Sequence, residues 1–109
     1  MLTPSLLHPS PALSRQMSIG EELADAVIEI SDQEALRHWR HQRNAWIEAT
    51  AQTLAEQHGA RAARAFREAA RVVRPFVSWH LALPGEQLSV RNSLRFIERL
   101  EEGCIDPVT

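Results

Sequence analysis

From Ser18 to Glu102 the apolar residues return every three or four positions, and nowhere do they alternate with polar ones over a strand's length. A 3.6-residue period gathers such residues on one face of a helix, whereas a two-residue period would gather them on one face of a sheet. The pattern predicts an all-α domain. It reads as a small bundle of four main helices over 18–103, with an extended Pro-rich N-terminal tail over 1–17 and a C-terminal tail over 104–109. A chain of 109 residues is one domain's worth, with a modest core that dimerisation would help.

Local signals place the elements. Pro4, Pro9 and Pro11 remove backbone donors, so the first segment reads as extended. Its Leu6, Leu7 and Leu13 are free to dock on the domain or on a partner. Ser18 and Glu21 have capping-box spacing and predict the first helix start. Ile19, Leu23, Ala26, Val27 and Ile30 then share one face, and Glu21, Glu22, Asp25 and Glu29 another. Ile28 falls off the apolar stripe, beside the acids. Ser31 and Glu34 predict a second start and a long helix over 32–58. Its central stripe is Leu36, Arg43, Ile47, Thr50 and Leu54, flanked by Trp39 and Trp46 at heptad spacing. The pair His58-Gly59 is a stop signal, because glycine accepts the left-handed geometry after a helix.

A third helix is expected from Ala60, with Ala62, Phe66, Ala69, Ala70, Val73 and Val77 inward and a kink or end near Arg74, before Pro75. Phe76, Trp79, Leu81 and Leu83 carry apolar weight towards Pro84-Gly85, which reads as a turn. His80 projects onto that apolar side and is expected in the core. The last helix is expected over 87–102, ending at Gly103. Val90, Leu94 and Ile97 form one apolar arc; Ser89, Ser93, Phe96 and Leu100 form a second beside it.

Catalytic signatures are few. His38 and His41 stand three apart, with Glu34 one turn earlier, but paired Glu-x-x-His motifs are absent and no metal site is expected. Cys104 lies among acids that would suppress its thiolate, and a single cysteine forms no internal disulfide. No glycine-rich phosphate loop or nucleophile elbow occurs. The expectation is a protein that is not an enzyme, takes no cofactor and has no membrane span. It carries no secretory leader and works in the cytoplasm.

Charge carries more information. All twelve basic residues are Arg, set against fourteen acids, for a net charge of -2. They are segregated. Residues 18–36 hold six acids and no base, whereas 37–74 hold eight Arg and three acids. Arg61, Arg64, Arg67, Arg71 and Arg74 recur at helical spacing opposite Phe66. In one reading this row contacts nucleic-acid phosphates, because TLAEQHGARAARAFREA has the outline of a helix-turn-helix. In another it is a solvated face with partners such as Arg64–Glu68. In a third it meets the acidic first helix, within the molecule or across a homodimer.

The two arcs of the last helix suggest two packing neighbours. The second neighbour is either the long helix of the same chain or another protein. On the second reading, Val90, Ser93, Phe96, Ile97 and Leu100 are the partner-binding residues, with Phe96 as the central anchor.

The layout from Pro4 to Gly103 is Pro-rich at its start, Arg-rich, Lys-free and helical. In this it resembles the QslA-type antiactivators of pseudomonad quorum sensing. The resemblance implies a protein partner, a LuxR-type transcription factor (LasR), whose dimerisation and DNA binding the small protein would block.

Overall fold

A computed structural model describes residues 11–72 and 78–102 of the chain. Four helices carry the fold: α1 (Pro11–Ala26), α2 (Gln33–His58), α3 (Ala60–Ala69) and α4 (Trp79–Glu101). A single 3-10 turn, Val27–Glu29, follows α1. No strand occurs among the described residues, so the all-α architecture is as the periodicity predicts.

The boundaries depart from the local signals in instructive ways. α1 begins at Pro11, not at Ser18, so residues 11–17 are helix and not extended tail. Proline suits a first helical position, where its missing N–H has no partner to lose. Burial of Leu13 inside the domain supplies the driving force. Ser18 lies in mid-helix, where a cap is not needed. The cap of α2 is Asp32 and not Ser31. Asp32 is extended, and its carboxylate accepts the Ala35 N–H at 2.7 Å. Gly59, at φ 97°, ends α2 as expected.

α3 stops at Ala69, earlier than its apolar pattern suggests. Val73, Arg74, Pro75 and Val77 lie outside the described residues, as do residues 1–10 and 103–109. α4 starts at Trp79 and runs through Pro84-Gly85, so the expected turn there is wrong. Pro84 forfeits one ladder bond, to the carbonyl of His80. Both Pro84 and Gly85 face solvent, while Ala82 and Glu86 on the inner side are buried. Inward packing of that side outweighs the lost bond.

α1 and α3 each pack against both α2 and α4, from opposite sides. Two indoles on α2 fix α1. Trp39 Nε1 donates to the Leu23 carbonyl at 2.8 Å, and Trp46 Nε1 donates to the Gln16 carbonyl at 2.6 Å. The donors are seven residues apart, and so are the acceptors, so two antiparallel helices meet in register. Gln87 Nε2 on α4 donates to the Ala24 carbonyl at 2.8 Å. Leu23 and Ala24 lie in the last turn of α1, where carbonyls need outside donors. Gly20 permits the approach: a β-carbon there would collide with the Trp46 ring and lie 2.9 Å from Leu94. An aromatic row continues across the core. Trp46 and Phe66 pack edge-on at 5.8 Å, and Phe66 and Phe96 at 6.3 Å.

One polar cluster lies inside. Glu86 of α4 is buried, and two arginines of α2 hold it. Arg40 Nε donates to its Oε2 at 2.7 Å, and Arg43 donates to its Oε1. Arg43 also lies over the Trp39 ring at 5.3 Å. The place of Arg43 on the apolar stripe of α2 is explained by this buried carboxylate. No buried side-chain polar atom lacks a partner among the described residues.

Candidate interaction surfaces

The residues expected to bind a partner are in the core. Val90, Ser93 and Ile97 are fully buried, and Phe96 and Leu100 nearly so. Phe96 packs against Phe66 of α3. The second arc of α4 therefore has its neighbour within the chain. The expectation that Val90, Ser93, Phe96, Ile97 and Leu100 form an open docking face is corrected accordingly. Its serines serve the fold: Ser89 Oγ donates to the Ala70 carbonyl, and Ser93 Oγ to the Ser89 carbonyl at 2.8 Å. These bonds let α4 approach the end of α3 without leaving a hydroxyl unpaired.

The apolar residues left in water are others. Ile28 is 83% exposed, Leu81 65% and Leu88 54%. Leu81 and Leu88 are seven apart on the outer face of α4, with exposed Pro84 between them. The same face continues into Arg91, Arg95 and Arg99, all exposed. The 3-10 turn bearing Ile28 packs against α4. Just before that turn, Gln87 Nε2 of α4 donates to the Ala24 carbonyl. Two signals for this surface stood in the sequence. Ile28 fell off its stripe, and Leu81 and Leu88 share heptad spacing. Reading Pro84-Gly85 as a turn separated the two leucines.

The arginine row is on the surface. Arg61, Arg64, Arg67 and Arg71 of the row are exposed, and Arg74 lies outside the described residues. Arg67 reaches across to α2 and holds Glu48 with two bonds, of 3.0 and 3.2 Å. Those bonds keep the Glu48 carboxyl below its ordinary range and raise the Arg67 guanidinium. Arg71 pairs with Glu68 at 3.3 Å, so Glu68 serves Arg71 and not Arg64. Between α2 and α3 runs a groove of about 500 Å³ floored by alanines, with Arg64, Arg67 and Glu48 on its rim. The Arg67–Glu48 and Phe66–Trp46 contacts fold α3 back along α2 as a hairpin. A helix-turn-helix instead needs its second helix to diverge and stand clear in a groove of DNA.

The acids of the first helix remain on the outside. Glu21, Glu22, Asp25 and Glu29 are exposed. Asp25 has an arginine nearby, Arg91 at 3.6 Å. The reading in which the acidic helix meets the arginine row within the molecule is thus corrected, because α1 and α3 lie on opposite sides of the core. His38 and His41 are exposed, and His80 is exposed too rather than in the core. No group of three metal-ligating side chains forms among the described residues. His58 Nε2 lies 2.6 Å from Glu101 Oε2, which ties the end of α2 to the end of α4.

In the comparisons with known proteins, no protein-family model, no curated protein and no solved structure matches this chain.

Proposed function

We propose that this chain is a small regulatory protein that acts by binding another protein. The observation that supports the reading is the outer face of α4, where Leu81 and Leu88 stand in water, together with exposed Ile28 on the 3-10 turn that packs against α4. Single exposed apolar residues are ordinary. Three large ones gathered on adjoining elements are the start of an interface core, and Arg91, Arg95 and Arg99 supply a charged rim. An apolar strip that passes into arginines fits a partner helix whose apolar strip passes into acids.

The layout resemblance supplies the partner class: a LuxR-type transcription factor in the cytoplasm. A regulator of that kind works as a dimer, and its dimer surface is apolar. A small protein that covers it stabilises the monomer by mass action, by about 2.7 kcal/mol at a hundred times the dissociation constant. The monomeric regulator then loses the paired half-site contacts that DNA binding requires. Among the described residues, no helix is long and apolar enough to cross a membrane.

The test is co-purification of the full chain with the ligand-binding domain of a LuxR-type regulator. The double variant Leu81→Arg with Leu88→Arg should keep its helicity and lose the partner. Retention of binding by that variant, or no binding by the parent chain, rejects the proposal. Phe96→Ala serves as the contrasting control, since it should destabilise the fold by about 3–5 kcal/mol.

A further inference from the structure

The arginine-rimmed groove between α2 and α3 and the acidic outer face of α1 belong to one chain but cannot reach each other within it. We propose that they meet between chains: the acidic face of α1 in one molecule docks into the α2/α3 groove of a second copy.

Three features of the two surfaces support the match. The first is charge. Glu21, Glu22 and Glu29 are exposed, and none forms an ion pair among the described residues. On the groove, Arg64 is exposed and likewise forms none. Glu48 and Glu68, the acids nearest the row, are each already held by an arginine. Arg64 therefore keeps an uncompensated positive charge on the groove rim, and Glu21 and Glu22 keep uncompensated negative charge on the face of α1.

The second feature is spacing. Glu22, Asp25 and Glu29 stand three and four residues apart, as do Arg64, Arg67 and Arg71. Within the helices themselves, Glu22 and Asp25 of α1 and Arg64 and Arg67 of α3 are each three residues apart, about 4.5 Å of rise, while Glu29 lies on the 3-10 turn and Arg71 just past α3. Glu22 and Asp25 can therefore reach two guanidinium groups from a single seating, and arginine favours the two-pronged geometry.

The third feature is shape. The groove floor is alanine, including the buried Ala51 and Ala63. Such a floor admits a helix closely. The ridge that α1 offers is made of Ile19, Glu22 and Ala26, all exposed, with Ile19 supplying an apolar contact.

Donor and acceptor faces lie on opposite sides of the bundle. The contact is therefore heterologous, and one docking leaves a free face at each end. Assembly then grows beyond the dimer as concentration rises. Exposed pairs hold it together, so salt governs it.

Sedimentation velocity of the full chain tests this directly. Salt is raised from about 0.01 M to about 1 M, which shortens the Debye length from about 30 Å to about 3 Å. The average mass should grow with concentration at low salt. Association should weaken by about tenfold or more at high salt, as two or three screened pairs would predict. Two variants refine the result: Glu22→Gln with Glu29→Gln, and Arg64→Gln with Arg71→Gln. Each alone should be monomeric with unchanged helicity. Mixed together they should form a one-to-one dimer that grows no further, because each supplies the single face the other retains. Three results overturn the proposal: a chain monomeric at every concentration in low salt, association indifferent to salt and to both variants, or a groove that takes an added acidic peptide or DNA duplex while the chain stays monomeric.

Discussion

The two sides of α2 handle charge in opposite ways. Towards α1 and α4 it places Arg40 and Arg43 on the buried Glu86, with Arg43 over the Trp39 ring, and it presses Trp46 onto Gly20. Towards α3 it places Glu48 in a two-bond pair with Arg67, in open solvent. Both are arginine–glutamate pairings across two helices, and by bond count they look alike. Burial separates them. A charge taken out of water depends on its partner, because losing the partner leaves an ion with no solvent to replace it. A charge that stays in water is re-solvated at once. The inner side of α2 is therefore rigidly specified, while its outer side is free to exchange partners.

The largest expected effect comes from breaking the buried cluster on one side only. Glu86→Ala should cost about 3–5 kcal/mol in chemical denaturation, since Arg43 stays buried without a counter-charge. Replacing all three members with apolar residues of similar size should recover most of that loss. If the triple variant is as unstable as Glu86→Ala, the cause is packing and not charge.

Next is the close contact on the same side. Gly20→Ala gains helix propensity but drives a methyl into Trp46 and Leu94, so a net loss of about 1–3 kcal/mol is expected. The Trp46 emission should shift as the indole moves from the Gln16 carbonyl. A stabilised variant with an unshifted spectrum would show that α1 and α2 tolerate a wider spacing.

A smaller loss is expected at the entrance of α2. Asp32→Ala removes the acceptor for the Ala35 N–H and should cost about 1 kcal/mol, whereas Ser31→Ala should cost almost nothing. Equal losses would reassign the cap.

The smallest effect belongs to the outer pair. Glu48→Gln should leave the melting temperature at neutral pH and moderate salt almost unchanged. What it should remove is a pH dependence. The folded Glu48 carboxyl is depressed by Arg67. Its contribution is thus present above the unfolded carboxyl's value and fades as pH falls through the folded one. The parent chain should lose that increment in the acid range, and Glu48→Gln should not. A large loss at neutral pH would mean the outer side is as specified as the inner one.

Much of the architecture was legible because packing follows periodicity. The stripes of α2 and α3 predict burial of Leu36, Leu54, Ala62 and Phe66, and all four are in the core. Arg43 on the α2 stripe was the visible trace of a carboxylate 43 residues away. Nothing local announced Glu86 as its partner, because the two meet only once α4 lies on α2. Short-range signals failed where tertiary packing outweighed them. Ser18 has the spacing of a cap, but Leu13 gains more by extending the helix inward. Pro84-Gly85 has the composition of a turn, but its outward position makes the helix cheaper to continue than to stop. The misplaced interface has the same origin. Two apolar arcs on α4 required two neighbours, and a helix wheel does not say whether the second belongs to the same chain.

The seating of α1 also sets the order in which the chain can mature. α2 and α3 are adjacent in sequence and close a hairpin over a short loop, so their contacts form early and locally. α1 is bonded by Trp39 and Trp46 on one side, but Gln87 and Leu94 complete its other side, more than sixty residues further on. On a ribosome, α1 leaves the tunnel before α2 and α3 and waits for α4. During that interval the side of α1 at Gly20 and Ala24 has no α4 to cover it. α1 is thus made before α4 but finished only after it, and the interval between the two is when its uncovered side is most exposed to misassociation.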